Sequence, residues 1–209
     1  KAHLHSGYFD DDSRMIRLDI VFAERYVKAY WDYQQGLACA RAWQLAFQSG
    51  QTRRGMMLKH LLLGVNAHIN LDLGLAAAKI APHTEMPALK QDFFRINEIL
   101  KNMVDTMQQE INRYSPLMKW VDRLGGKSDE WLASYSIFQS RRHAWNIALH
   151  AANGWETTWE KELDNRIEGW GRHIQRFSPF ERIVARFEGK DYHRIFKDLK
   201  TPGSTPRHH

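Results

Sequence analysis

A single cysteine, Cys39, serves the whole chain of 209 residues. One thiol cannot build an intrachain disulfide framework or a cysteine-based zinc site. Cys39 falls in GLACARAWQLAF at an apolar helical position and reads as a small core residue, which suits a cytoplasmic protein. No run of 18 continuous apolar residues occurs, so no membrane span is expected. No Asn-Gly or Asp-Gly turn separates alternating apolar runs, which leaves no hairpin signal. A Gly-rich phosphate loop, a nucleophile elbow, a dinucleotide fingerprint and a His-Glu-x-x-His pair are all missing. The formal charge is +6, but no dense basic block appears. Part of the excess is spread over Arg182, Arg186, Lys190, Arg194, Lys197 and Lys200. Such a distribution describes a solvated face, and no nucleic-acid partner is expected.

What is present is apolar mass at helical spacing. Residues of apolar type make up 43% of the chain, with eight tryptophans and ten phenylalanines to fill a core. From Met15 to about Gln35 the apolar positions recur with the helical period, and Asp12 or Ser13 is placed to cap that helix. Leu37 to Phe47 predicts a second helix. A long central helix is expected over about 52–80, closed by Pro82, which lacks the N–H a helix needs. A fourth covers about Pro87 to Arg113. After Pro116, Leu117 to Leu124 suits a short turn of helix, and Gly125-Gly126 a break. A long helix then runs from Ser128 to Asn153-Gly154, and another from Trp155 to about Phe177. The expectation is one all-α domain, a bundle of six to eight helices around a buried central one. Residues 1–12 form an N-terminal arm, 13–177 the helical domain, 178–200 a helical extension and 201–209 a disordered tail. A chain that opens on Lys1 leaves room for an upstream segment, and His208 and His209 are set outside any site.

The stretch His60–Lys79, HLLLGVNAHINLDLGLAAAK, organises the rest. A helix that is apolar on every side is normally buried. Polar groups on it must then find partners, at about 1–3 kcal/mol each if they do not. At roughly 100° per residue, His60, Gly64, His68 and Asp72 form one row, and Asn66 and Asn70 a second. Gly64 and Gly74 leave room for a ligand or a neighbouring backbone. Imidazole and carboxylate one turn apart suit a divalent metal, zinc or iron, or an acid–base pair. His60 lies about 12 Å from His68 along a straight helix, so His68 with Asp72 is the better local pair. Arg141 is placed to be a counter-ion for Asp72 or a clamp on a carboxylate or phosphate. Arg25 suits an inward ion pair. Trp145 lies one turn after Arg141. His143 and His150 share a face of the same helix.

HLLLGVNAHINLDLGLA, together with FAERYVKAYWDYQQG, WQLAF and SIFQSRRHAW, resembles a bacterial family of all-helical proteins defined as a domain of unknown function. The resemblance covers about Met15 to Ala152. It points to His60, Asn66, His68, Asn70, Asp72, Arg25, Arg141 and Trp145, and not to His143 or His150. The His60, Gly64, His68, Asp72 run is also similar to that of zinc-dependent phospholipase C and the single-strand nucleases. It departs from them at Val65, where they carry aspartate, and in having no N-terminal tryptophan ligand.

Three functions follow as expectations. The first is a metal-dependent or His/Asp acid–base enzyme, a hydrolase of an ester or phosphoester. In it His60, His68, Asp72 and Arg141 are catalytic, His60, His68 and Asp72 hold the metal, and Arg25, Asn66, Asn70 and Trp145 bind an anionic or amphipathic small molecule. The second is a helical module binding a small lipid-like ligand. The third is a structural domain whose polar row is a buried hydrogen-bond network.

Overall fold

A computed structural model describes residues 7–51, 57–114, 137–154 and 157–176, with only the backbone of 57–58, 101–114 and 157. Helices account for the regular structure among them, and no strand occurs. The all-α expectation holds. The elements are α1 (Asp12–Gln34), α2 (Arg41–Gln51), α3 (Met57–Val65), a π-helical segment (Asn66–Leu73) and α4 (Gly74–Ile80). A 3-10 turn (His83–Glu85), α5 (Met86–Tyr114), α6 (Ile137–Ala152) and α7 (Thr157–Gln175) complete the described chain. The expected short helix after Pro116, the Gly125-Gly126 break, the helix start at Ser128, and everything assigned beyond Arg176 lie outside the described residues.

Local chemistry explains the helix ends. Asp11, not Asp12 or Ser13, caps α1. Its carboxylate accepts the Arg14 backbone N–H at 2.8 Å, satisfying one orphan donor of the first turn. Asp92 on α5 reinforces that end. It is fully buried and accepts the backbone N–H groups of Asp10 and Asp11 at 2.8 and 3.0 Å. At the other end Gly36 takes a positive φ of 71°, Leu37 N–H reaches the Asp32 carbonyl and Gly36 N–H the Tyr33 carbonyl. This is the bond pattern of a helix closed by a left-handed glycine.

The second helix starts at Arg41 rather than Leu37. Its cap comes from another element: Asp164 of α7 accepts the N–H groups of Arg41 and Ala42 at 2.7 and 3.0 Å. An acceptor that far along the chain is invisible to local sequence, which is why the helix begins later than its spacing predicts.

The central element, α3 through α4, feeds two cores. Leu62, Leu63, Ala67, Leu71 and Leu75 pack with Trp43, Leu45, Leu163 and Ile167. Leu73, Ala76 and Ala77 pack with Met15, Leu18, Leu89, Phe93 and Ala148. Lys59–Ile80 is long and apolar enough to cross a membrane by length and composition, but its apolar 18-residue window is 72% buried inside the protein. Alanine-rich α4 lets α6 approach closely. A Cβ on Gly74 would sit 2.6 Å from the Ala144 carbonyl oxygen and from Ile147 Cγ2. The room expected at Gly74 is therefore filled by a neighbouring helix. A Cβ on Gly64 would meet nothing within 4 Å among the described residues, so that glycine marks no close approach there.

Candidate functional site

The row of polar residues falls where the central helix is wound as a π-helix, over Asn66–Leu73. Bonds from i to i+5 are unfavourable enough that such segments are rare, and they recur at functional sites. The flanking α3 and α4 remain α-helical, so the wide winding is confined to the stretch that carries His68 and Asp72.

Asp72 is the centre. It is 2% exposed, and both of its oxygens are engaged. Oδ1 accepts Arg25 Nε–H at 2.9 Å, and Oδ2 accepts the indole N–H of Trp43 at 2.7 Å. His68 Nδ1 lies 3.4 Å from the same Oδ2. A carboxylate oxygen accepts, so the donor in this contact is an N–H at Nδ1. Among the described residues no hydrogen bond engages Nε2. The imidazole stacks on Phe22 with centroids 3.7 Å apart and planes at 8°. Trp43 and Tyr26 stand at 5.7 and 6.0 Å from it. The His68 side chain keeps 28% of its surface exposed, so the pair sits at the edge of the core rather than inside it. Arg25 reaches on to Glu160 of α7 at 3.3 Å, giving an acid–base chain Glu160–Arg25–Asp72–His68 drawn from three elements.

The other expected residues divide by location. Asn70 donates to Asn66 Oδ1 at 3.0 Å, and Asn66 donates to the Ile167 carbonyl at 2.8 Å. Both are buried and tie the π segment to α7. His60 Nδ1 meets Ser49 Oγ at 3.2 Å, away from Asp72. The counter-ion of Asp72 is Arg25, not Arg141. Arg141 is buried against α5, where it bonds Asn97 Oδ1 and the Phe93 carbonyl. Trp145 packs there too, on Phe93 and Phe94. His143 lies against Trp170 and His150 against Trp159. Burial, and then Arg166, push the His143 pKa below its ordinary value.

Sequence reasoning missed Trp43, Glu160 and Phe22. Only Trp43 left a signal: a tryptophan at an apolar helix position carries an N–H that needs an acceptor once buried.

Residues 1–177 match a family of unknown function, DUF5995. The chain belongs to that family. The membership expected from the central motif holds at this level. No curated protein and no solved structure matches the chain.

Proposed function

We propose that this DUF5995 domain is an acid–base enzyme whose base is His68, oriented by Asp72, acting on an ester or phosphoester. The observation that carries the reading is the doubly held Asp72 carboxylate, fixed by Arg25 and Trp43, with His68 Nδ1 facing it and part of the imidazole exposed. A carboxylate fixed in this way selects one imidazole tautomer and stabilises the imidazolium that forms when Nε2 takes a proton. In hydrolysis, Nε2 takes the proton of an attacking water and returns it to the leaving group. Arg25, at 27% exposure, pairs with Asp72 and compensates the charge of that buried carboxylate.

The donor set does not suit a divalent ion at this point. Arg25 occupies one oxygen of Asp72 with a positive group, and Trp43 occupies the other. Among the described residues no three His, Cys, Asp or Glu side chains gather around one point.

The test is a panel of chromogenic carboxylic and phosphoric esters, assayed on the parent and on His68→Gln. General-base loss lowers turnover by about 10²–10⁴-fold. Equal turnover in parent and variant, or none in the parent, overturns the proposal. One observation favours a ligand-binding module as the second reading. Tyr26 and Tyr30, 40% and 37% exposed, continue the aromatic surface away from His68. Saturable binding of an aromatic ligand without turnover supports that reading instead.

A further inference from the structure

Among the described residues, the arginines on the inner faces of this fold are matched to carboxylates, with one exception. Arg14 and Arg95 both reach Asp92, and Arg25 reaches Asp72. Arg141 is 5% exposed, yet no carboxylate lies within ion-pair distance of it among the described residues. Its hydrogen bonds go to neutral acceptors, Nε to Asn97 Oδ1 at 2.6 Å and Nη2 to the Phe93 carbonyl at 2.5 Å. The Phe93 ring faces the guanidinium carbon at 4.6 Å, a favourable but weak contact for a cation. Burying a charge without a counter-charge is costly, and an apolar residue of similar volume serves packing better.

The geometry of the fork shows what is left over. Guanidinium carries five N–H donors in one plane. The Nε and Nη2 edge is engaged by Asn97 and Phe93. The opposite edge, Nη1 with the second N–H of Nη2, presents two parallel donors, the pattern that matches a carboxylate or phosphate. Nη1 makes no hydrogen bond among the described residues. Half-buried Asn97 and Phe94 lie at the margin of the α5–α6 contact, beside Trp145.

We propose that the α5–α6 contact is an oxyanion-binding site, in which the open Nη edge of Arg141 takes the carboxylate or phosphate group of a small ligand. The site is separate from His68 and Asp72 and does not depend on the acid–base reading. Burial, with no neighbouring carboxylate to offset it, brings the Arg141 pKa down to about 10, so the side chain is still a cation at neutral pH.

The test is thermal unfolding of the full chain at constant ionic strength, with chloride replaced stepwise by benzoate, acetate or inorganic phosphate. A ligand that binds only the folded state raises Tm with concentration. A saturable rise with an oxyanion, absent with chloride, is expected in the parent and in His68→Gln. Response to benzoate and acetate identifies a carboxylate site, and response to phosphate alone a phosphate site. Arg141→Met is expected to lose the response, and Asn97→Asp, which supplies a counter-charge on the Nε edge and so offsets the positive charge that draws the ligand, to weaken its midpoint at least tenfold. No saturable rise in the parent, or an undiminished one in Arg141→Met, overturns the proposal. Should Arg141→Met fail to fold, an undiminished response in Asn97→Asp does so.

Discussion

Trp43 donates its indole N–H to Asp72 Oδ2 at 2.7 Å, on the same oxygen that His68 Nδ1 approaches at 3.4 Å. The tryptophan is the tighter partner and so fixes where the carboxylate stands. Trp43→Phe keeps the ring packing and removes the donor. A hydrogen bond to a charged group contributes about 1.5–3 kcal/mol, and a loss of that size is expected in chemical denaturation. Arg25→Met leaves Asp72 buried and short of its cation. Because Arg25 is 27% exposed, the loss should lie at or below the low end of the roughly 3–5 kcal/mol seen for fully buried pairs. Combining Arg25→Met with Asp72→Asn should recover part of that loss, and strict additivity would show the two residues to be uncoupled.

The two glycines of the central helix should respond in opposite directions. Gly74→Ala drives a methyl to 2.6 Å from the Ala144 carbonyl and is expected to cost about 1–3 kcal/mol through overpacking. Gly64→Ala meets no atom within 4 Å among the described residues and should gain up to about 1 kcal/mol from helix propensity. Paired urea titrations check both signs.

Asp92 holds the start of α1. Asp92→Ala strips acceptors from the Asp10 and Asp11 amides and from Arg14 and Arg95. A loss of roughly 2–4 kcal/mol is expected, since each buried unsatisfied group costs about 1–3 and Asp10 lies near solvent. Hydrogen exchange should show the first turns of α1 opening earlier than α4. Unchanged protection there would count against Asp92 as the anchor.

His143 makes the fold sensitive to acid. Burial lowers its pKa below the ordinary 6.5, and the Arg166 charge lowers it further. Between the lowered folded value and 6.5 the unfolded chain binds more protons, so stability rises with pH through that window. This contribution is fully present above pH 6.5 and is lost as pH falls through the folded pKa. Tm measured from pH 7.5 to 5 should fall less steeply in His143→Gln than in the parent. Parallel curves would place the acid sensitivity elsewhere.

The sequence by itself determined that this chain is helical and which helix lies at its centre. Helical spacing in α1 and α5, Pro82 and Gly36 as stops, and an apolar stretch from His60 to Lys79 are local facts, set by backbone sterics and by which side chains leave water. It also marked His68, Asp72 and Arg25, because a charge on an apolar helix must be paired somewhere. Only the tertiary structure decided who pairs with whom. Arg25 rather than Arg141 meets Asp72, Trp43 takes its second oxygen, Asp164 caps a helix 122 residues away, and His60 turns to Ser49. Those choices depend on helix packing and on the π winding over Asn66–Leu73, which changes the angle between successive side chains. Sequence spacing assumes an α-helical period and sees one element at a time, whereas a buried polar group is satisfied by whichever donor the neighbouring helices bring within about 3 Å.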